Sequence, residues 1–327
     1  MRVITDVVRR YDVDGVQFDD YFYPYPVPSA TGRPLPFPDD ATWRMYGVRS
    51  GLSRDDWRRQ NINQFIQSVY QNIKAVKPWV KFGVSPFGIW RPGYPPQIRG
   101  SDAYGVLFAD SRLWLANGWV DYFSPQLYWP IDSPEHSYVM LLNWWAQQNV
   151  KHRNLWPGLA AHLLPPAEIA RQIQVTRMQP GADGEIIFHL KLIEDNPALA
   201  EAIAREYAQP AFVPPSPWLE TSPLPKPQIV VRGGEYNWTF QWATPGSVPA
   251  GWLLQFDGSD NTWTTKILPG YQTTQNFSFS PQAVSLRAMD RAGNLGPPAV
   301  LGIAGAYSSP APPRSTGSFW GSYQPKK

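Results

Sequence analysis

Cysteine is absent from the 327 residues, which excludes disulfide frameworks, thiolate metal sites and a cysteine nucleophile, and suits an oxidising or extracytoplasmic setting. Charge is sparse. Charged residues make up 17%, and 29 basic against 26 acidic residues leave a net charge of +3. That balance carries no footprint of a nucleic-acid or membrane-surface partner, so a neutral partner is expected. No run of 18 apolar residues occurs, which excludes a transmembrane helix. Histidine is rare, with four residues and no H-x-x-x-H spacing, so no zinc site is recognisable and no metal or other cofactor is expected. No glycine-rich phosphate loop follows any strand-like run. Low hydrophobicity is missing too: 43% of residues are hydrophobic, so most of the chain folds.

Proline, tryptophan and tyrosine are abundant instead. The 36 prolines are about twice the average share. The 16 tryptophans and 16 tyrosines suit a large core, and they also suit sites that grip sugars, because flat rings with a polar tip pack on sugar C–H faces.

The chain does not open like a secretory signal. Residues Met1 to Tyr11 place Val3, Val7, Val8 and Tyr11 on one helical face and run directly into the strand-like Val13-Asp14-Gly15-Val16-Gln17-Phe18-Asp19-Asp20. A start in mid-domain is expected. Beyond the first strand, Ser53 and Asp56 form a capping-box-like start, and Ile62, Phe65, Ile66, Val69, Ile73 and Val76 keep helical spacing up to Pro78. A second strand is expected at Val80 to Val84, with a long loop and a short helix between Asp110 and Gly118. A third runs from Val120 to Tyr128, its helix capped by Ser133 with Pro134 at the first position. A fourth spans Leu155 to Ala161 before a helix near Pro166 to Met178. A fifth spans Ile186 to Leu190 before a helix opened by Asn196-Pro197.

Strands alternating with helices, with polar and aromatic residues gathered after each strand, argue a parallel sheet whose site lies at the strands' C-terminal ends. The expected class is α/β, the C-terminal five units of a (β/α)8 TIM-like barrel over residues 1–207. A doubly wound open sheet is the structural alternative. A complete barrel takes roughly 250 residues, so about 100–150 are expected ahead of Met1, and a partner chain if those units are truly absent. Residues 208–228 are proline-dense and read as a semi-rigid linker. Residues 229–304 read as short strands between turns, an all-β sandwich, and 305–327 as a disordered tail. The run Leu286 to Gly296 looks like the last hairpin of a fibronectin-type-III-like domain. Trp238, Trp242, Trp252 and Trp263 read most simply as sandwich core, with exposure of one or two as the alternative that would bind sugar.

Alternation along the first strand puts Gln17 and Asp19 on one face, pointing into the barrel mouth if Val16 and Phe18 pack under the helices. Asp19 is the candidate nucleophile or charge stabiliser. The competing structural reading has Asp20 capping a turn and Asp19 pairing with an arginine. Glycoside hydrolysis by the common route needs two carboxyls. Asp20, Asp102 and Asp110 are the candidate acids, although Asp110 is more simply a helix N-cap. Gln17, Tyr21, Trp90, Arg91, Gln126, Tyr128, Trp129 and His162 are the candidate substrate-binding residues. Gln126 and Tyr128 would hold sugar hydroxyls, Trp129 would be a stacking platform, and His162 would be a transition-state donor or a mouth histidine. His189 reads as structural, inside a strand.

The run YDVDGVQFDDYFYPYP, followed in order by SPFGIWR, ADSRLWLANGWVDYFSPQLYW and WPGLAAH, resembles the glycosyl-hydrolase-like 10 family, a bacterial group of (β/α)8 proteins. The resemblance spans about Val3 to Tyr207. It implies that FDDYFYP ends the fourth barrel strand, that the activity is hydrolysis of a bacterial polysaccharide, such as cell-wall glycan strands, and that the protein works outside the cytoplasm. The spacing Asp14-Gly15-x-Gln17-x-Asp19 is also similar to the D-G-x-R-x-D strand of the α-amylase superfamily, whose last Asp is the nucleophile, with Gln17 replacing the Arg. Two rival readings accompany these: a catalytically inactive carbohydrate-binding protein, and a structural surface protein in which the β module does the work.

Overall fold

Short apolar strands buried on both faces, each followed by a helix with one apolar stripe, can only be satisfied by a sheet covered with helices. The computed structural model describes residues 1–219, 223–234, 237–246, 248–258 and 262–302. The chain divides into two units, Met1–Glu206 and Tyr207–Lys327.

In the first unit, α1 (Arg2–Arg10) precedes β1 (Gly15–Phe18), and a long excursion through α2 (Asp40–Thr42) leads to α3 (Arg54–Val76) and β2 (Lys81–Val84). Then come α4 (Ala103–Val106), α5 (Ser111–Asn117), β3 (Tyr122–Phe123), α6 (Tyr138–Gln148), β4 (Asn154–Leu155), β5 (Gly158–Ala160), α7 (Pro166–Met178), β6 (Ile186–Phe188), α8 (Leu190–Asp195) and α9 (Pro197–Glu206). Strands β1 to β4 pair in parallel in chain order, and β5 pairs in parallel with β6. Gln126 bridges Phe87 on one side and Gly158 on the other, which carries the ladder from the second strand run to the fourth. Helices α3, α5, α6, α7 and α9 also touch their neighbours in chain order. This sequential winding is that of a (β/α)8-type barrel. A doubly wound sheet, whose strand order reverses at a switch point, is overturned.

Ile66, Val69 and Ile73 of α3 pack with Val80, Phe82 and Val84, and Trp114, Tyr138, Trp145, Ile169 and Ile173 extend the same core along the later helices. Inside the curve of the sheet, Gly83 is required: a Cβ there would lie 2.0 Å from the Tyr122 ring. That ring stacks on Trp156 at 4.6 Å and its hydroxyl donates to Gln17 Oε1 at 3.1 Å, which builds the floor beneath the strand ends.

Some boundaries differ from the sequence expectation. Helix α6 is capped by Ser137, not Ser133, because residues 133–137 are used in turns that close on Pro130. Strand β6 stops at Phe188, and His189 is the exposed residue before α8 rather than a strand residue. Ser53 does cap α3, accepting from the Asp56 amide at 3.1 Å.

The second unit is a two-sheet sandwich. Strands β7 (Gln228–Gly234), β8 (Asn237–Ala243) and β11 (Thr274–Phe277) form one sheet in the order β11-β8-β7. Strands β9 (Gly251–Asp257), β10 (Trp263–Pro269), β12 (Ala283–Met289) and β13 (Ala299–Gly302) form the other, ordered β10-β9-β12-β13. This partition is the fibronectin type III arrangement, with Phe240, Trp242, Trp252, Phe256 and Leu286 between the sheets. Trp238 and Trp263 are half-buried. After β12 the chain turns on Asp290, whose Oδ1 accepts the amides of Ala292 and Asn294, both at 2.8 Å, while Gly293 takes a φ of +84°. Part of the proline-dense segment is tied down: Ser216 and Leu219 are buried, and the Ser216 amide donates to the Ala292 carbonyl. Residues 220–222 of that segment and the tail expected over 305–327 lie outside the described residues. Among the described residues, no helix is long and apolar enough to cross a membrane.

Candidate active site

The chain leaves the sheet at the end of β1 through two consecutive carboxylates. Val16 and Phe18 pack against the core, while Gln17 and Asp19 face an open pocket of about 370 Å³. Its walls come from the ends of every strand run in the unit: Ser85 and Phe87 after β2, Ser124, Gln126 and Tyr128 after β3, Gly158 and His162 in and after β5, and Ile186 and Phe188 in β6. Glycine 158 leaves room for this convergence, since a Cβ there would meet the Tyr128 ring at 3.1 Å.

Asp19 is exposed to the pocket and Asp20 is buried, at 4% exposure. Asp19 Oδ1 accepts the Asp20 amide at 2.8 Å and Gln126 Nε2 at 2.9 Å, and the same Nε2 reaches the Ser85 carbonyl at 3.0 Å. These bonds fix the carboxylate's orientation. Asp20 Oδ2 accepts the Tyr25 hydroxyl. Burial raises the Asp20 carboxyl above the usual range; the Tyr25 hydrogen bond works against that rise, and the neighbouring Asp19 carboxyl adds to it. Asp20 therefore holds its proton to a higher pH than an isolated aspartate does. Tyr128 faces them from β3: its phenol is pushed up to about 12, by burial first and then by the charges of Asp19 and Asp20.

Of the residues expected from sequence, Gln17, Asp19, Asp20, Tyr21, Gln126, Tyr128 and His162 line one pocket. Four others do not. Trp90 is buried, stacked on Trp144 at 5.9 Å, with Nε1 donating to Asp110 at 3.2 Å. Arg91 lies 3.6 Å from Asp102 and 4.7 Å from the Tyr104 ring, outside the pocket. Trp129 stands behind Phe87 and stacks on His136 at 5.2 Å, so it offers the pocket no platform. Asp102 and Asp110 are N-caps, accepting from the Gly105 amide at 3.0 Å and the Leu113 amide at 3.3 Å. Burial also raises Asp110, yet its partners are the cap and Trp90 rather than the pocket. Glu185 is pushed up to about 7 by burial, but the charges it faces are Arg177 and Glu206, and it does not line the pocket.

Ser85, Phe87, Ser124, Gly158 and Ile186 were not foreseen as lining residues, and two further wall residues with chemistry of their own were missed. Tyr25 comes from the loop after β1, and Phe188 from the end of β6. Phe188 is 45% exposed, 5.4 Å from the His162 ring and 6.1 Å from Tyr128, so an exposed aromatic ring stands at the pocket where Trp129 does not. The alternation of Ile186 and Phe188 was the available signal. Among the described residues no group of three or more His, Asp or Glu side chains converges to hold a metal ion.

The profile of the family described as Glycosyl hydrolase-like 10 matches residues 1–175. Glycosyl hydrolase YngK of Bacillus subtilis (strain 168) is 38% identical over 244 residues, 69% of this chain and 47% of that protein. Glycosyl hydrolase DigH of Escherichia coli (strain K12) is 44% identical over 205 residues, 57% of this chain and 45% of that protein. The chain thus spans about half the length of these curated relatives. Among solved structures, the fibronectin type III domain of human collagen XX is 16% identical over 28% of this chain and 100% of that domain, with a TM-score of 0.22. That score is too low to bear on function.

Proposed function

Because the chain belongs to the glycosyl hydrolase-like 10 family, we propose that it hydrolyses glycosidic bonds in a bacterial polysaccharide, the glycan strands of the cell wall, outside the cytoplasm. The observation that carries this reading is the carboxyl pair at the end of β1. Asp20 is buried, with its carboxyl raised above the usual range, and Asp19 presents an oriented carboxyl group to the pocket.

The two carboxyls are consecutive in the chain, Asp19 Oδ1 accepts the Asp20 amide, and both line the same pocket. We take them to act from one side of the sugar as a single acid/base unit, rather than flanking it as the carboxyls of the common route do. The glycosidic oxygen takes the pair's proton as its bond to the anomeric carbon breaks. A water oxygen then bonds to that carbon, and the proton it gives up returns to the pair. Asp19 faces the positive charge that develops on the sugar ring. Gln126, already bonded to Asp19, and the Tyr128 hydroxyl are placed to hold sugar hydroxyls, and Phe188 with His162 gives the ring a face to stack on.

The stacking role has a kinetic signature. Phe188→Ala should raise KM about five- to tenfold and leave kcat within about twofold, since an exposed ring binds ground and transition states alike. Initial rates over a range of glycan concentrations separate the two effects, and an unchanged KM would remove Phe188 from the site.

The function itself is tested by incubating the full chain with purified cell-wall glycan strands and measuring new reducing ends. Their appearance is the expected result. Strands that co-sediment with the chain but stay uncut would favour the carbohydrate-binding reading, and strands that do neither would overturn both.

A further inference from the structure

The loop between Asp20 and Asp39 is anchored far from the pocket, yet it returns one hydroxyl to it. Phe22 sets its ring edge against Trp114 at 4.7 Å, and Tyr23 is held between Phe37 and Phe108, each at 5.0 Å. At the far end Asp39 accepts from Arg58 Nη2 at 2.6 Å and also from Arg54. The Arg58 guanidinium lies 4.8 Å from the Phe108 ring, which joins the aromatic cluster to the ionic one. These two arginines hold the Asp39 carboxyl at about 2, so the anchor is ionised at any pH where the site could work. Between the anchors, Tyr25 sets its ring edge against Tyr21 at 6.1 Å and donates its hydroxyl to Asp20 Oδ2.

We propose that Tyr25 is a positioning residue that places the proton of Asp20: by occupying Oδ2 it leaves Oδ1 as the oxygen that carries the proton. This rests on the acid/base reading of the pair. A carboxyl oxygen that accepts a hydroxyl hydrogen is a poor place for the acid's own proton, so the donor selects the other oxygen. The titratable groups facing Asp20 are Asp19 beside it, Tyr21 and Tyr25 from this loop, Tyr128 after β3, and His162 after β5. Of these, Tyr25 is the one whose hydrogen bond supports the ionised form of Asp20.

The sign of the expected effect follows. Removing the hydroxyl takes away a donor to the carboxylate and leaves burial and Asp19 opposed by a backbone hydrogen bond alone, so Asp20 holds its proton more tightly. Tyr25→Phe should move the Asp20 midpoint upward by about one pH unit. The measurement is a carbon-13 NMR titration of the aspartate carboxyls in the full chain, with Asp20→Asn identifying the Asp20 signal and circular dichroism confirming that each variant is folded. An unmoved midpoint, or one that moves down, would overturn the proposal. The titration needs no turnover, so it can fail while the hydrolase reading stands. Conversely, a glycan cut at the full rate by Asp20→Asn would sink the acid/base reading even if the midpoint moved as expected.

Discussion

Asp19→Asn is expected to lower glycan hydrolysis by about two to four orders of magnitude while changing glycan affinity by no more than a few-fold. The substitution keeps volume and shape and removes the charge. In the protein, Asp19 Oδ1 is already held by the Asp20 amide and by Gln126, so an asparagine oxygen can keep both bonds and the pocket wall survives. What is lost is the negative charge that Asp19 presents to the pocket, which the proposed mechanism sets against the developing oxocarbenium ion. A purely binding protein would show the opposite pattern, with no turnover to lose and affinity as the only quantity perturbed. Reducing-end release, paired with glycan binding by calorimetry, separates the two. Retention of more than about a tenth of the activity would contradict a catalytic role for Asp19.

The largest stability effect is expected at the opposite end of the strands. Asp121 is fully buried at the start of β3, where its carboxylate accepts from Lys74 Nζ of α3 and, at 2.7 Å, from the Phe82 amide of β2. Burial pushes the Lys74 ammonium down, and Asp121 is what opposes that loss of charge. Asp121→Ala would leave the Lys74 ammonium with the Val80 carbonyl but no counter-charge, and the Phe82 N–H without its carboxylate acceptor, at a point that ties α3 to two strands. The cost should be about 3–5 kcal/mol, the usual penalty for breaking a buried pair from one side. Asp121→Asn, which still accepts from the Phe82 amide, should cost less. Urea denaturation followed by tryptophan fluorescence checks both, and an Asp121→Ala loss under about 1 kcal/mol would show the pair to be dispensable.

The strands and helices were legible because their apolar spacing is local. The alternation of Val16 and Phe18 with Gln17 and Asp19 needs only a strand and a core on one side, and β1 meets both conditions. Positions past the ends of strands were harder to read, because a side chain there points where distant contacts send it. Trp90 follows β2 much as Tyr128 follows β3, yet its indole turns to Trp144 and Asp110 and leaves the mouth. Trp129 is drawn to His136 in the same way. Tyr25 was invisible for the reverse reason. Nothing in its neighbours Pro24 and Pro26 predicts the bond to Asp20, made from a loop whose far end, Asp39, is clamped by two arginines of α3. Asp102 and Asp110 show the limit of residue type as evidence, since a carboxylate ahead of a helix is used first by the helix.

The most direct measurement is the pH dependence of reducing-end release from cell-wall glycan strands by the full chain, compared with its Asp20→Asn variant. The raised Asp20 carboxyl predicts activity that persists above the ordinary carboxyl range, falls as pH rises through the folded-state value, and loses that limb in Asp20→Asn. An alkaline limb that survives in Asp20→Asn, or release that is absent at every pH while the glycan still binds, would contradict the account.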